Sequence, residues 1–203
     1  MSEPSSQGLY PAEHRGLREL HAMARQLASH WTRLGGRLEG APGEALEDGA
    51  VAARELLDEL STRTAAHGLH GWPAAQGVGG RLAGARNVAG DLLLERNQAL
   101  RAAVLDVAHV TTLLAYLAAL ADRRGDAMLA TWHRCWEVRL RESQERVMAT
   151  VVALAGDPAD AVLPASQTPA GRAGHGIAAA LGTLGEAIDA SPVGRTARKA
   201  RGG

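Results

Sequence analysis

Phenylalanine is absent from this 203-residue chain, aromatics make up only 3% of it, and cysteine and lysine occur once each, as Cys135 and Lys199. The aromatic and β-branched residues that favour strands are scarce, whereas alanine and leucine, the strongest helix formers, are abundant. An all-α fold is therefore expected. One cysteine excludes an intramolecular disulfide and a cysteine-rich zinc site. An excess of one charge is also lacking: 22 basic and 22 acidic residues give a formal net charge of +0, which argues against a broad basic surface for nucleic acid. Met1 to Gly8 hold neither a basic stretch nor an apolar one, so no secretory leader is read there and cytoplasm is the expected compartment. Basic residues that are almost all arginine, with excess alanine and glycine, look like coding from a GC-rich genome such as an actinobacterium's. That bears on source, not on function.

Proline is missing over about 70 residues, from Asn87 to Ala155, and only Gly90 and Arg124-Gly125-Asp126 interrupt the run. It reads as one long helix, a tight turn and a second helix. Earlier in the chain, Pro11 suits the first turn of a helix with Glu13 near its positive end. Leu17, Leu20, Ala24, Leu27, Trp31, Leu34 and Leu38 then recur at three-four spacing, a narrow apolar stripe. Gly40-Ala41-Pro42-Gly43 ends it. A second stripe, Leu46, Ala50, Ala53, Leu57, Leu60 and Thr64, implies a helix packed antiparallel on the first.

The span 67–80, rich in glycine, reads as a linker. Helix then resumes over Arg81–Arg123, apolar nearly all round and so placed at the centre. If continuous it would run about 60 Å against roughly 40 Å for the first helix, requiring a kink near Gly90 or a projecting apolar end. Asp126–Ala155 is amphipathic, with Leu129, Trp132, Trp136, Leu140, Ser143, Val147, Val151 and Leu154 on one face and Glu137/Arg141 and Glu142/Arg146 as i,i+4 pairs. Asp126 is its expected N-cap, and Gly156-Asp157-Pro158 stops it. After a loop over 156–170, Ile177, Leu181, Leu184 and Ile188 give a glycine-weakened helix over 171–190. Residues 1–10 and 191–203 read as tails. The expected architecture is an elongated antiparallel four-helix bundle from two helical hairpins, with a short fifth C-terminal helix.

Ala102–Ala121 is long and apolar enough to be weighed as a membrane span. It carries Asp106, His109 and two threonines, and a central charge costs about 2.5–3.5 kcal/mol in a bilayer. A core helix gives the same pattern, and no membrane contact is expected.

Candidate chemistry is sparse. Ferritin-like bundles carry Glu-x-x-His on two helices, and none is present here. Asp106-x-x-His109 and His133-x-x-x-Glu137 lie about 10 Å apart along the hairpin axis, too far to share one metal. His67-x-x-His70 supplies only two ligands, and Gly77-Val78-Gly79-Gly80 lacks the strand and Gly-Lys-Ser/Thr ending of a P-loop. Cys135 and His133 point in different directions on a helix. His14 and His21, with Glu13 and Arg18, read as a solvated face. No catalytic residues, metal site or cofactor are expected. Asp106, in apolar surroundings, needs a partner, for which His109 and Arg139 are the candidates.

Two readings of function follow. The first is a non-enzymatic interaction or structural module working through self-association or a protein partner, with Trp132, Trp136 and Arg139 as contact residues. The alternative is a small-molecule- or metal-binding bundle with a buried site around Asp106, His109 and Tyr116. A helical substrate of a type VII secretion system would carry Trp-x-Gly in a turn, and neither turn does.

Overall fold

The computed structural model describes residues 8–65, 94–169, 171–177 and 180. The linker 67–80, with its histidine pair and glycine run, and the tail 191–203 lie outside the described residues. Helices α1 (Pro11–Gly35) and α2 (Ala41–Ala65) form the first hairpin. The α1 stripe is buried as its spacing predicts, with Leu20, Leu27, Trp31 and Leu34 at its heart. On α2 the expected Leu46, Ala50, Ala53, Leu60 and Thr64 are buried, but Leu56 takes the deep position and Leu57 only packs against the core. The helix serves two neighbours at once, so its buried face is wider than one seam and its centre is rotated away from Leu57.

Gly49 shows how closely α1 and α2 approach. A Cβ there would lie 2.0 Å from Cζ3 and 2.4 Å from Cε3 of Trp31, and Trp31 is fully buried. In an open helix Gly→Ala gains about 1 kcal/mol of propensity. Here the sign reverses: Gly49→Ala should lose about 1–3 kcal/mol through overpacking. Urea unfolding of the variant checks this, and stability equal to the parent's would refute the packing.

The second hairpin is α3 (Arg96–Arg124) and α4 (Ala127–Ala153). Gly125 sits at φ +83, a left-handed position that glycine adopts freely. Its N–H bonds to the Asp122 carbonyl and that of Asp126 to Ala121, closing α3 in a Schellman arrangement. Asp126 then accepts from Leu129 N at 2.9 Å as the N-cap of α4. These features follow the sequence reading.

The start of α3 does not. The helix begins at Arg96, not as the continuation of one from Arg81. Glu95 is extended, with its N–H bonded to the Gln98 side chain. Leu94 and Arg96 exchange backbone hydrogen bonds with Ala165 and Leu163 in an isolated bridge, Glu95 opposite Pro164. At 1.5 Å per residue, α3 spans about 43 Å and α1 and α2 about 38 Å each. The four long helices match in length. Leu94 and Glu95 are not helical, so the helix expected over Arg81–Arg123 is not continuous, and residues 81–93 lie outside the described residues.

Around the bundle α1 lies beside α2, α2 beside α4, α4 beside α3, and α3 beside α1. Neighbours are antiparallel throughout. Glu13 meets Arg124 while His30 meets Asp106, and Glu59 meets Trp132 while Glu55 meets Arg139. It follows that α2 and α3, on one diagonal, run parallel, and Ala65 and Leu94 lie at opposite ends of the bundle. This is a bundle with a crossover between its hairpins.

Beyond α4 come a 3-10 turn (Leu154–Gly156) and the single-turn helix α5 (Pro158–Ala161), capped by Asp157 accepting from Asp160 N. Arg96 pairs with Asp160 at 2.5 Å, fastening this return to the start of α3. Residues 171–177 are helical, as the C-terminal helix requires, with Ile177 exposed. The rest of its stripe lies outside the described residues.

Candidate interaction surface

One flank of α3 faces α1. There Asp106 meets His30 Nδ1 at 2.6 Å, His30 being 2% and Asp106 28% exposed. The partner of Asp106 is therefore neither His109 nor Arg139, and the acid is half-buried, not sunk in the core. His30 stands three residues after Leu27 and four before Leu34, inside the α1 stripe, so a buried polar group was readable there; its partner on another helix was not. His109 pairs with Glu19 at 3.1 Å, both about half exposed. Tyr116 is 49% exposed. Asp106 and His109 thus each pair with a different residue of α1 and not with one another.

Trp132, Trp136 and Arg139 do come together, in the α2–α4 seam. Both indole N–H groups donate to one oxygen of Glu59, at 2.6 and 3.1 Å. Arg63 lies over the Trp132 ring, Arg139 over the Trp136 ring, and Arg139 pairs with Glu55. The Trp132 and then Trp136 hydrogen bonds hold the Glu59 carboxyl below its ordinary range. Both tryptophans are buried, so they close a seam within the chain and present no free ring. Glu59→Ala, which leaves two buried indole N–H groups without their acceptor, should cost about 1–2 kcal/mol. Fluorescence-monitored unfolding reads this directly, and an unshifted midpoint would refute the clasp.

His133 sits beside Trp132, edge to face, 1% exposed and with Nδ1 unpartnered. Burial, with a smaller effect of Arg63, pushes its pKa down to about 4. Cys135 is exposed, so the two residues occupy different sides of α4, as their spacing predicts. Glu13 is 1% and His21 9% exposed. Both are buried, Glu13 against Arg124 of α3, and so do not form the solvated face expected from their polarity. Burial and then Arg25 lower the His21 pKa.

The other flank of α3 borders α4, marked by the Asp122–Arg134 ion pair. In step with Asp122 at three-four spacing stand Leu105, Ala108, Thr112, Ala115 and Ala119. Leu105 is 71% exposed; Thr112, Ala115 and Ala119 are exposed and Ala108 half-buried. No charge interrupts this series between Arg101 and Asp122. On α4, in step with Arg134, Val138 is 56% exposed. Only 44% of the most apolar stretch of α3, which is long enough and apolar enough to cross a membrane, is buried. The helix is thus not enclosed on all sides. The sequence reading missed this stripe because an apolar residue at a solvent position looks the same as one in a core.

At the end of the bundle where α3 begins, a cavity of about 270 Å³ opens between Leu38, Pro42, Leu100 and Leu154, with Glu39, Asp157 and the Arg96–Asp160 pair on its rim. Among the described residues no three His, Cys, Asp or Glu side chains are grouped to hold a metal ion. No protein-family model matches this chain, and comparison with curated proteins and with solved structures gave no match.

Proposed function

We propose that this chain is a non-enzymatic helical-bundle module of the cytoplasm that works by self-association or by docking to a protein partner, through the α3–α4 face. One observation carries the reading: a charge-free stripe from Leu105 to Ala119 lies along the solvent side of α3, with Leu105 71% exposed. Contiguous apolar surface of this kind marks interaction sites in soluble proteins. The neutral charge balance supports a protein surface over nucleic acid. Trp132, Trp136 and Arg139 then act indirectly, by holding α4 in place behind the face.

The test uses the full chain. Leu105→Asp should leave helicity and melting temperature near the parent's, because the side chain is already exposed, while abolishing the oligomer or the recovered partner. A parent chain that is monomeric and recovers no partner would sink the reading.

A second reading, small-molecule binding, is favoured by the cavity at the α3 end rather than by Asp106, His109 and Tyr116. Its acidic rim and apolar walls suit a hydrophobic amine. Native mass spectrometry of gently purified protein would reveal a bound mass, and Leu100→Trp should exclude it.

A further inference from the structure

We infer that the α3–α4 face pairs with the same face of a second copy of this chain, antiparallel, about a two-fold axis level with Thr112 and Val138. The inference rests on the interaction reading above and names its partner.

The stripe is self-complementary in shape. Two antiparallel α3 helices related by a two-fold at Thr112 bring together residues equally far on either side of it. Leu105 then meets Ala119 of the other copy. Because the axis keeps each flank on its own side, Ala108 meets Ala115 on the α4 flank and His109 meets Tyr116 on the α1 flank, while Thr112 meets itself. Large faces small at both ends, where Leu105 meets Ala119, and alanine faces alanine beside Thr112, so the helices can approach closely there. The exposures of Leu105, at 71%, and Tyr116, at 49%, leave both side chains available for this.

Charge selects the antiparallel arrangement. Arg101 and Asp122 bracket the stripe, eleven residues before Thr112 and ten after it. Parallel pairing would set Arg101 against Arg101 and Asp122 against Asp122. Antiparallel pairing sets Arg101 beside Asp122 of the other copy, twice over.

Helix α4 gives the same axis independently. Thr112 and Val138 each stand thirteen residues from Gly125, so the hairpin turn places them at one height. A two-fold lying in the interface puts α4 against α4 of the second copy, with Val138 on the axis. Arg134 and Glu142, four residues to either side of Val138, become cross-partners. Since Arg134 already holds Asp122, a chain of alternating charge forms at each end: Arg101 of one copy, then Asp122 and Arg134 of the other, then Glu142 of the first. The face is two helices wide, roughly 20 Å, and roughly 30 Å long between its charged ends. Its outline of about 600 Å² matches the lower end of specific interfaces, about 600 Å² per partner.

Sedimentation or light scattering of the parent chain is expected to give twice the 21.2 kDa chain mass at roughly micromolar concentrations and above. Leu105→Asp should weaken association at least about tenfold. Arg101→Glu should weaken it too, and Arg101→Glu with Asp122→Arg should restore it to within a few-fold. With Cys135 replaced by serine, Thr112→Cys should oxidise to a disulfide-linked dimer. A parent that stays monomeric at roughly 100 μM overturns the inference. In that event, a protein or neutral-lipid vesicle bound by the parent and lost by Leu105→Asp assigns the stripe to another occupant and leaves a docking surface standing, whereas no such loss removes both readings. A dimer in which Thr112→Cys fails to cross-link and the charge swap fails to rescue keeps self-association but overturns this face and register.

Discussion

Replacing Glu13 by alanine should destabilise the protein by about 3–5 kcal/mol, the range for breaking a buried ion pair from one side. Glu13 is 1% and Arg124 7% exposed. The carboxylate accepts Arg124 Nε at 3.1 and 3.3 Å and the Tyr10 N–H at 2.9 Å. It thus ties the start of α1 to the end of α3 while satisfying a backbone donor that has no intrahelical partner. Alanine removes both, leaving the Arg124 guanidinium in place with the part-exposed Asp126, 3.1 Å from it, as a remaining acidic partner. Glu13→Gln keeps an acceptor for Tyr10 and should cost markedly less. Glu13→Leu with Arg124→Leu should recover much of the loss, since it also removes the buried cation that Glu13→Ala leaves with fewer partners. Urea unfolding at neutral pH measures all three. A loss below about 1 kcal/mol for Glu13→Ala would mean that Arg124 escapes to water.

Acidification should remove about 3 kcal/mol through His133 alone. Its folded pKa of about 4 lies below the ordinary 6.5, so between those values the unfolded chain binds a proton that the folded chain refuses. Stability therefore rises with pH in this window: the contribution is complete above 6.5, falls as pH drops, and is gone near 4. Two and a half units at 1.36 kcal/mol each set the size. The His21 pKa is lowered in the same sense and adds to the trend. His133→Leu fills similar volume without titrating. The difference in stability between parent and variant should change by about 3 kcal/mol from pH 7 to pH 4. A difference that stays flat with pH would show that His133 reaches solvent or a partner on protonation.

Much of the fold was legible because helix signals are local. Pro11, the stripe through Trp31 and Leu34, the Gly125 turn and the Asp126 cap each act within a few residues. The beginning of α3 was not legible. Leu92, Leu93 and Leu94 continue an apolar run without proline, and what stops the helix is partly the bridge to Leu163 and Ala165, about 70 residues away. Helix α3 was read as buried all round for a related reason. Its composition distinguishes neither core from surface nor one neighbour from two.

The candidate surface divides the same way. Which residues share a face of one helix follows from 3.6 residues per turn, so Leu105, Thr112 and Ala119 form a row in any helical fold of this sequence. Likewise Trp132, Trp136 and Arg139 share a side of α4. Whether a row meets solvent, and which helix supplies a partner, depends on how each helix is rotated and slid against its neighbours. That is settled by packing over the whole bundle: Trp31 seated on Gly49, Glu59 between two indoles, His30 rather than Arg139 against Asp106. The sequence by itself determined three amphipathic helices and one long apolar one, the Asp126 cap and the α3–α4 turn, because the interactions responsible span one or two turns. Only the tertiary structure decided the parallel diagonal of α2 and α3, the burial of Glu13 and His133, and the exposure of the α3 stripe, because these rest on contacts between segments tens of residues apart.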